Sequence, residues 1–281
     1  MQLGTLYAYT GGKTFDPSRP CVVFLHGAQH DHSVWILQSR ALAYRGLGVL
    51  AFDLPGHGRS GAPLERSIEA IAGRIAEALS PLACPGFVLA GHSMGSLVAL
   101  ELASRLGQRA LGAALIGSAF PMRVADSLLA ATRDDPAAAM QMINVWSHSA
   151  SLAPFAPRPG APGPGFNIVW QNLRLMQHIA RRNGPEVLPT DFAACNAYAA
   201  GLERAAALAC PALFVLGAAD QMTPPRAARA LIDACRESTV VTLPATGHAL
   251  MTENPDGVRR ALENFIDRLT TRTPLSASAA A

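Results

Sequence analysis

Short, unbroken apolar runs separated by amphipathic stretches set the rhythm of residues 1–118. Residues 3–10 alternate and predict a first strand, closed by the turn at Gly11-Gly12. Residues 21–25, Cys-Val-Val-Phe-Leu, are apolar throughout and stop at His26-Gly27. Such a run reads as a strand buried on both faces of a parallel sheet. Residues 49–52, 87–90 and 111–116 repeat the signal. Between them, Asp31 or Ser33 can cap a helix running through Trp35 and Leu42. Ile68, Ile71, Ile75 and Leu79 fall at helical spacing within residues 65–79, and residues 96–106 continue as a helix. The rhythm breaks over residues 119–200, where helical patches rich in Met and aromatic residues flank a Pro/Gly-rich loop at 154–165. It resumes with a strand at 212–216, a helix from Pro224 or Pro225 to Cys235, a strand at 239–243 and a helix at 253–269.

Alternating strands and helices predict an α/β fold, a mostly parallel central sheet with helices on both faces. Residues 1–118 and 201–272 form its core, residues 119–200 an inserted helical lid, and residues 273–281 a disordered tail.

Composition narrows the classes. Half of the 281 residues are hydrophobic and 15% are charged, enough to bury a sizeable core and too few charges for a disordered chain. The net charge is +3 and Lys13 is the only lysine; the arginines form no run or stripe, so a nucleic-acid partner is not expected. Five scattered cysteines without a C-x-x-C pair predict neither a disulfide framework nor a zinc site. The first residues lack a basic and then apolar leader, and no apolar stretch is long enough to span a membrane. The chain is therefore expected to be cytoplasmic, acting on a small molecule, with a homodimer as an open alternative.

The chemistry concentrates at strand ends. Gly91-His92-Ser93-Met94-Gly95 has the pattern G-x-S-x-G, between a buried strand and a helix. A sharp strand-to-helix turn pushes a serine side chain off the sheet, and the helix N-terminus faces any developing oxyanion. Serine needs a neighbouring base to become a nucleophile. His248 sits after the last strand, on the same edge of the sheet as Ser93. Asp220 and Asp53 also end strands, and either carboxylate could orient the histidine.

With His26-Gly27, the 53–60 segment Asp-Leu-Pro-Gly-His-Gly-Arg-Ser, the Ser93 pentapeptide, the 217–220 segment Gly-Ala-Ala-Asp and Gly247-His248, the chain resembles the α/β-hydrolases over nearly its whole length. The resemblance implies a serine hydrolase with the chain order nucleophile, acid, base, which selects Asp220 over Asp53. It implies an oxyanion hole from the backbone N–H groups of Ala28 and Met94. It implies cleavage of an ester-type acyl bond in a small or medium-sized apolar substrate through an acyl-enzyme. C–C bond hydrolysis and cofactor-free perhydrolase chemistry use the same triad and are alternatives, as is a catalytically silent ligand-binding relative. No cofactor or metal is expected, although His26, His30, Asp31 and His32 crowd one segment. Met122, Trp146, Trp170 and Met176 are the candidate substrate-binding residues.

Overall fold

The computed structural model describes residues 1–61, 63–149 and 164–272. Among these residues, eight strands form one sheet: β1 Gln2–Leu3, β2 Leu6–Tyr9, β3 Cys21–Leu25, β4 Gly48–Phe52, β5 Phe87–His92, β6 Ala110–Ile116, β7 Ala212–Gly217 and β8 Ser238–Leu243. Their order is β1-β2-β4-β3-β5-β6-β7-β8. Strands β1 and β2 pair antiparallel at one edge, and every pairing from β4 to β8 is parallel. The expected first strand is thus two short strands, because Gly4, at φ +60°, turns the chain between them.

The continuous apolar runs are explained by burial on both faces. Alternate residues of β3 divide between two cores, Val23 and Leu25 on one face, Val22 and Phe24 on the other. The first face is covered by α2 Ile68–Leu79 and α3 Met94–Leu106, joined by α8 Gly201–Ala206 and α9 Arg229–Ala234. The second is covered by α1 Ile36–Tyr44 and α11 Pro255–Arg272. Helix α2 begins after Ser67, whose hydroxyl accepts from the Ala70 N–H, and α3 begins at Met94, two residues before the pattern predicts. Asp31 caps a single 3₁₀ turn, His32–Trp35, which leads into α1. The predicted last helix, 253–269, is α11, which starts at Pro255, and a short helix α10 Leu250–Glu253 precedes it, the two separated at Asn254. Proline at position 255 has no amide hydrogen with which to continue α10.

Among the described residues, four helices precede α8 between β6 and β7: α4 Asp126–Asp134, α5 Pro136–Trp146, α6 Pro164–Asn183 and α7 Val187–Ala197. They share a core of their own, including Leu128, Met140, Ile143, Met176 and Phe192, against which Ala28 and Met222 pack. The predicted irregular loop at 154–165 lies outside the described residues except for Pro164-Gly165, which open α6. The predicted tail at 273–281 is likewise outside them. Among the described residues, no helix is long and apolar enough to cross a membrane.

Strand order reverses direction at β3: β4 lies to one side of it and β5 to the other. Loops that leave such a pair diverge and open a crevice at the carboxyl ends of the strands. The turn at Gly27-Ala28 follows β3 and Ser93 follows β5, so the topology places both at that crevice.

Candidate active site

Ser93 occupies the tight turn between β5 and α3 with φ +52° and ψ −120°. This conformation is costly for a residue with a side chain, on the order of 1–3 kcal/mol, and strain of this kind collects at functional sites. Its backbone is bonded on both sides: the N–H donates to the Ile116 carbonyl at 2.9 Å, and its carbonyl accepts from Ser96 N at 2.8 Å and Ser96 Oγ at 2.6 Å. The flanking glycines answer to close approach. A methyl on Gly91 would overlap the Gly95 carbonyl, and one on Gly95 would overlap the Leu25 and His26 carbonyls. Met94 is the first residue of α3 and is fully buried, so its N–H is one of those the helix itself leaves unpaired.

His248 Nδ1 lies 2.8 Å from Asp220 Oδ2. Asp220 is buried and further satisfied by the Met222 and Thr223 N–H groups, each donating to Oδ1 at 2.8 Å, and by the Thr223 hydroxyl, donating to Oδ2 at 2.8 Å. Burial opposes its charge, but the neighbouring His248 and these donors outweigh burial and hold the Asp220 pKa down to about 2. A carboxylate on Nδ1 puts the imidazole proton there and leaves the lone pair on Nε2, the arrangement of a general base. Asp53, the rival acid, is occupied elsewhere. It accepts from the His32 N–H at 2.8 Å and the Arg59 N–H at 2.8 Å, and it contacts His32 Nδ1 at 2.6 Å.

Two further residues support this site: Thr223, which carried no sequence signal for it, and His92, which its place before Ser93 marks as a packing or hydrogen-bonding residue. The Thr223 hydroxyl lies between Asp220 Oδ2 and His248 Nδ1, 3.1 Å from the latter. His92 Nε2 lies 2.8 Å from the His248 carbonyl and must donate to it, and the two rings are 4.7 Å apart. Burial and the nearby His248 hold the His92 pKa well below the ordinary imidazole value, so His92 stays neutral and acts as a hydrogen-bond donor.

Ser93 and His248 open into one cavity of about 180 Å³. Met122, Leu128, Trp146, Phe192 and Met222 supply apolar wall, Ala28 lines it beside the serine, and Arg123 adds an exposed cation. Of the four candidate substrate-binding residues, Met122 and Trp146 line this cavity, whereas Trp170 and Met176 are not among its lining residues. Met176 is fully buried in the core of the four-helix segment, and Trp170 is half exposed, with the Arg174 guanidinium over its ring. Both are on α6, but positions six apart on a helix point about 120° away from each other, so one faces inward while the other cannot. The crowded polar segment brings Asp31, His32 and Asp53 together, with one ligand atom from each within 4.8 Å of the others. Asp31 already accepts from the Ser33 N–H, and His32 and Asp53 are bonded to each other.

Fold, strand order and the Ser93 turn agree with what comparison finds: the chain matches the alpha/beta hydrolase family over residues 22–261 and belongs to it. Among curated relatives, it is 26% identical over 262 residues to the putative carbamate hydrolase RutD of Klebsiella pneumoniae, covering 90% of this chain and 93% of that one. It is 28% identical over 263 residues to the biotin biosynthesis bifunctional protein BioHC of Cellvibrio japonicus, covering 90% of this chain and 49% of the relative. Some curated relatives are thus longer proteins, of which this chain spans about half or about a quarter. In structure it resembles the enol-lactonase of Burkholderia xenovorans LB400 with a TM-score of 0.78 and 23% identity, over 93% of this chain and 96% of that one. A likeness at that identity concerns the fold.

Proposed function

We propose that this chain is a serine hydrolase that cleaves an ester-type acyl bond of a small or medium-sized apolar substrate through Ser93, His248 and Asp220. The observation that carries the reading is the buried Asp220–His248 contact at 2.8 Å, with His248 sharing a cavity wall with Ser93. Ser93 Oγ attacks the carbonyl carbon while His248 Nε2 takes its proton. The Ala28 and Met94 N–H groups receive the oxyanion, and the imidazolium that forms is stabilised by Asp220. His248 then protonates the leaving group as the tetrahedral intermediate collapses to the acyl-enzyme. A water activated by His248 releases the acid and restores the serine.

Helices α4–α7 act as the lid. The residues that lead into α4, with Trp146 at the end of α5 and Phe192 on α7, contribute most of the apolar wall and so select the acyl group. A cavity of about 180 Å³ favours a short chain over a long one; drug-sized ligands occupy roughly 300–1,000 Å³. A panel of p-nitrophenyl esters of increasing acyl length, with lactones, amides and vinylogous diketones, tests the reading. Turnover of short esters, with or without lactones, is expected. Cleavage of the diketones without the esters would make the protein a C–C bond hydrolase instead.

A further inference from the structure

The turn that follows β3 is held from the four-helix segment. Gln29 is buried with φ +58°. Its N–H donates to Asp191 Oδ2 on α7 at 2.7 Å, and its side-chain Nε2 donates to the Met176 carbonyl on α6 at 3.0 Å. His30 Nδ1 lies 2.6 Å from the Ala28 carbonyl, and its Nε2 lies 2.9 Å from Asn172 Oδ1 on α6. Both polar atoms of the peptide joining Ala28 to Gln29 are therefore bonded, the carbonyl to His30 and the N–H to Asp191. A peptide plane anchored at both atoms leaves little freedom to the residue before it, and that residue is Ala28.

Asp191 is itself held. The same Oδ2 lies 2.9 Å from His57 Nε2, while His57 Nδ1 lies 3.0 Å from the Pro55 carbonyl. Both ring nitrogens face atoms that only accept, so both carry hydrogen and His57 is an imidazolium. Burial opposes that charge, but Asp191 and the Pro55 carbonyl outweigh it and raise the His57 pKa. His26, whose ring is 5.0 Å away, is the opposite case: its Nε2 accepts from the Leu54 N–H, which leaves it neutral. Asp191 and His57 thus form a second buried Asp–His pair in addition to Asp220 and His248.

We propose that Asp191, paired with His57, is a positioning residue: it clamps the Ala28–Gln29 peptide and so aims the Ala28 N–H at the oxyanion. Helix α7 then completes the oxyanion hole as well as walling the cavity. The inference rests on the reading of Ser93 as nucleophile and Ala28 as oxyanion donor.

The test compares wild type, Asp191→Asn, Asp191→Ala and His57→Asn, and the His57→Asn/Asp191→Asn double variant. Each is assayed for kcat and KM on a short ester and for the affinity of an alkyl boronic acid, whose adduct with serine mimics the tetrahedral intermediate. Removing an oxyanion donor costs roughly 10²–10³ in kcat, and a donor left in place but loosened costs less. The expected result is a fall in kcat of roughly 10–100-fold in Asp191→Ala, with KM within about twofold and boronate affinity reduced in parallel. Asp191→Asn, which can still accept from Gln29, falls less. The double variant is no worse than its worse single variant, because the pair acts as a unit. Should Asp191→Ala not fold, the two single Asn variants and their double carry the test. A change in KM alone, a fall in kcat with unchanged boronate affinity, or additive losses would overturn the clamp. Wild type that neither turns over esters nor binds boronate would overturn the reading of Ser93 instead.

Discussion

The buried imidazoles near the cavity differ according to what faces their ring nitrogens. His57 meets two acceptors and is charged, His26 meets one donor and is neutral, and His92 donates to the backbone of His248. His248 alone couples a buried carboxylate on one nitrogen to the cavity on the other side of its ring. Its partner defines the first prediction. Asp220→Asn keeps the shape but loses the acceptor that fixes the tautomer, so kcat on a short ester should drop by roughly 10⁴-fold. A near-normal rate would move the role to another acid. Thr223→Val removes only the hydroxyl that bonds Asp220 Oδ2. The loss of one such bond is worth about 1 kcal/mol, so steady-state kinetics should show kcat reduced by about fivefold with KM unchanged.

At the scale of elements, the strand-to-helix turn at Ser93 depends on backbone proximity. Gly91 and Gly95 are where β5, α3 and the end of β3 come together, and the atoms in the way are main-chain carbonyls that cannot swing aside. Gly91→Ala should therefore lower stability by roughly 1–3 kcal/mol or more in urea unfolding. Gly73, inside α2, is the contrasting case: a methyl there would meet only the tip of the Arg105 side chain, at 3.1 Å. Gly73→Ala should raise stability by up to about 1 kcal/mol in the same assay, through helix propensity. Equal effects of the two substitutions would contradict this account of the turn.

Legibility from sequence also divides by element. Ser93, Asp220 and His248 became candidates because each follows a strand and parallel strands bring their C-terminal ends to one edge; Asp53 also ends a strand, and only the chain order implied by the family resemblance selected Asp220 over it. Asp191 could not: it lies 134 residues from His57 and 162 from Gln29 in the chain, on a helix whose turns carry no motif. The two tryptophans of the four-helix segment could not be told apart for a related reason. Composition marks Trp146 and Trp170 alike, and only the packing of α5 and α6 separates a cavity wall from a half-exposed face. Met222 lines the cavity because it shares a loop with Asp220, a neighbour relation that was available in the sequence.

For the whole molecule, the buried titratable groups set an acid limit. His26 and His92 are held neutral, chiefly by burial, with pKa values well below 6.5. As the pH falls below 6.5, the unfolded chain takes up protons that these residues refuse, so stability declines. His57 adds nothing to that decline, since a raised pKa gives stability that is fully present in acid and is lost as the pH rises. Asp220 adds a second loss: its stabilisation is present above 3.8 and disappears as the pH falls through about 2. That second loss is on the order of 2 kcal/mol. Thermal unfolding should show Tm falling between pH 6.5 and 5 and again below pH 4, with the second fall reduced in Asp220→Asn. A Tm flat from pH 7 to 4 would contradict the assignment of neutral, buried His26 and His92. Whether the whole arrangement serves one nucleophile is decided by treating wild type and Ser93→Ala with a fluorophosphonate and reading the intact mass. A single adduct is expected on wild type and none on Ser93→Ala; an unlabelled wild type, or equal labelling of both, would rule out Ser93 as the nucleophile.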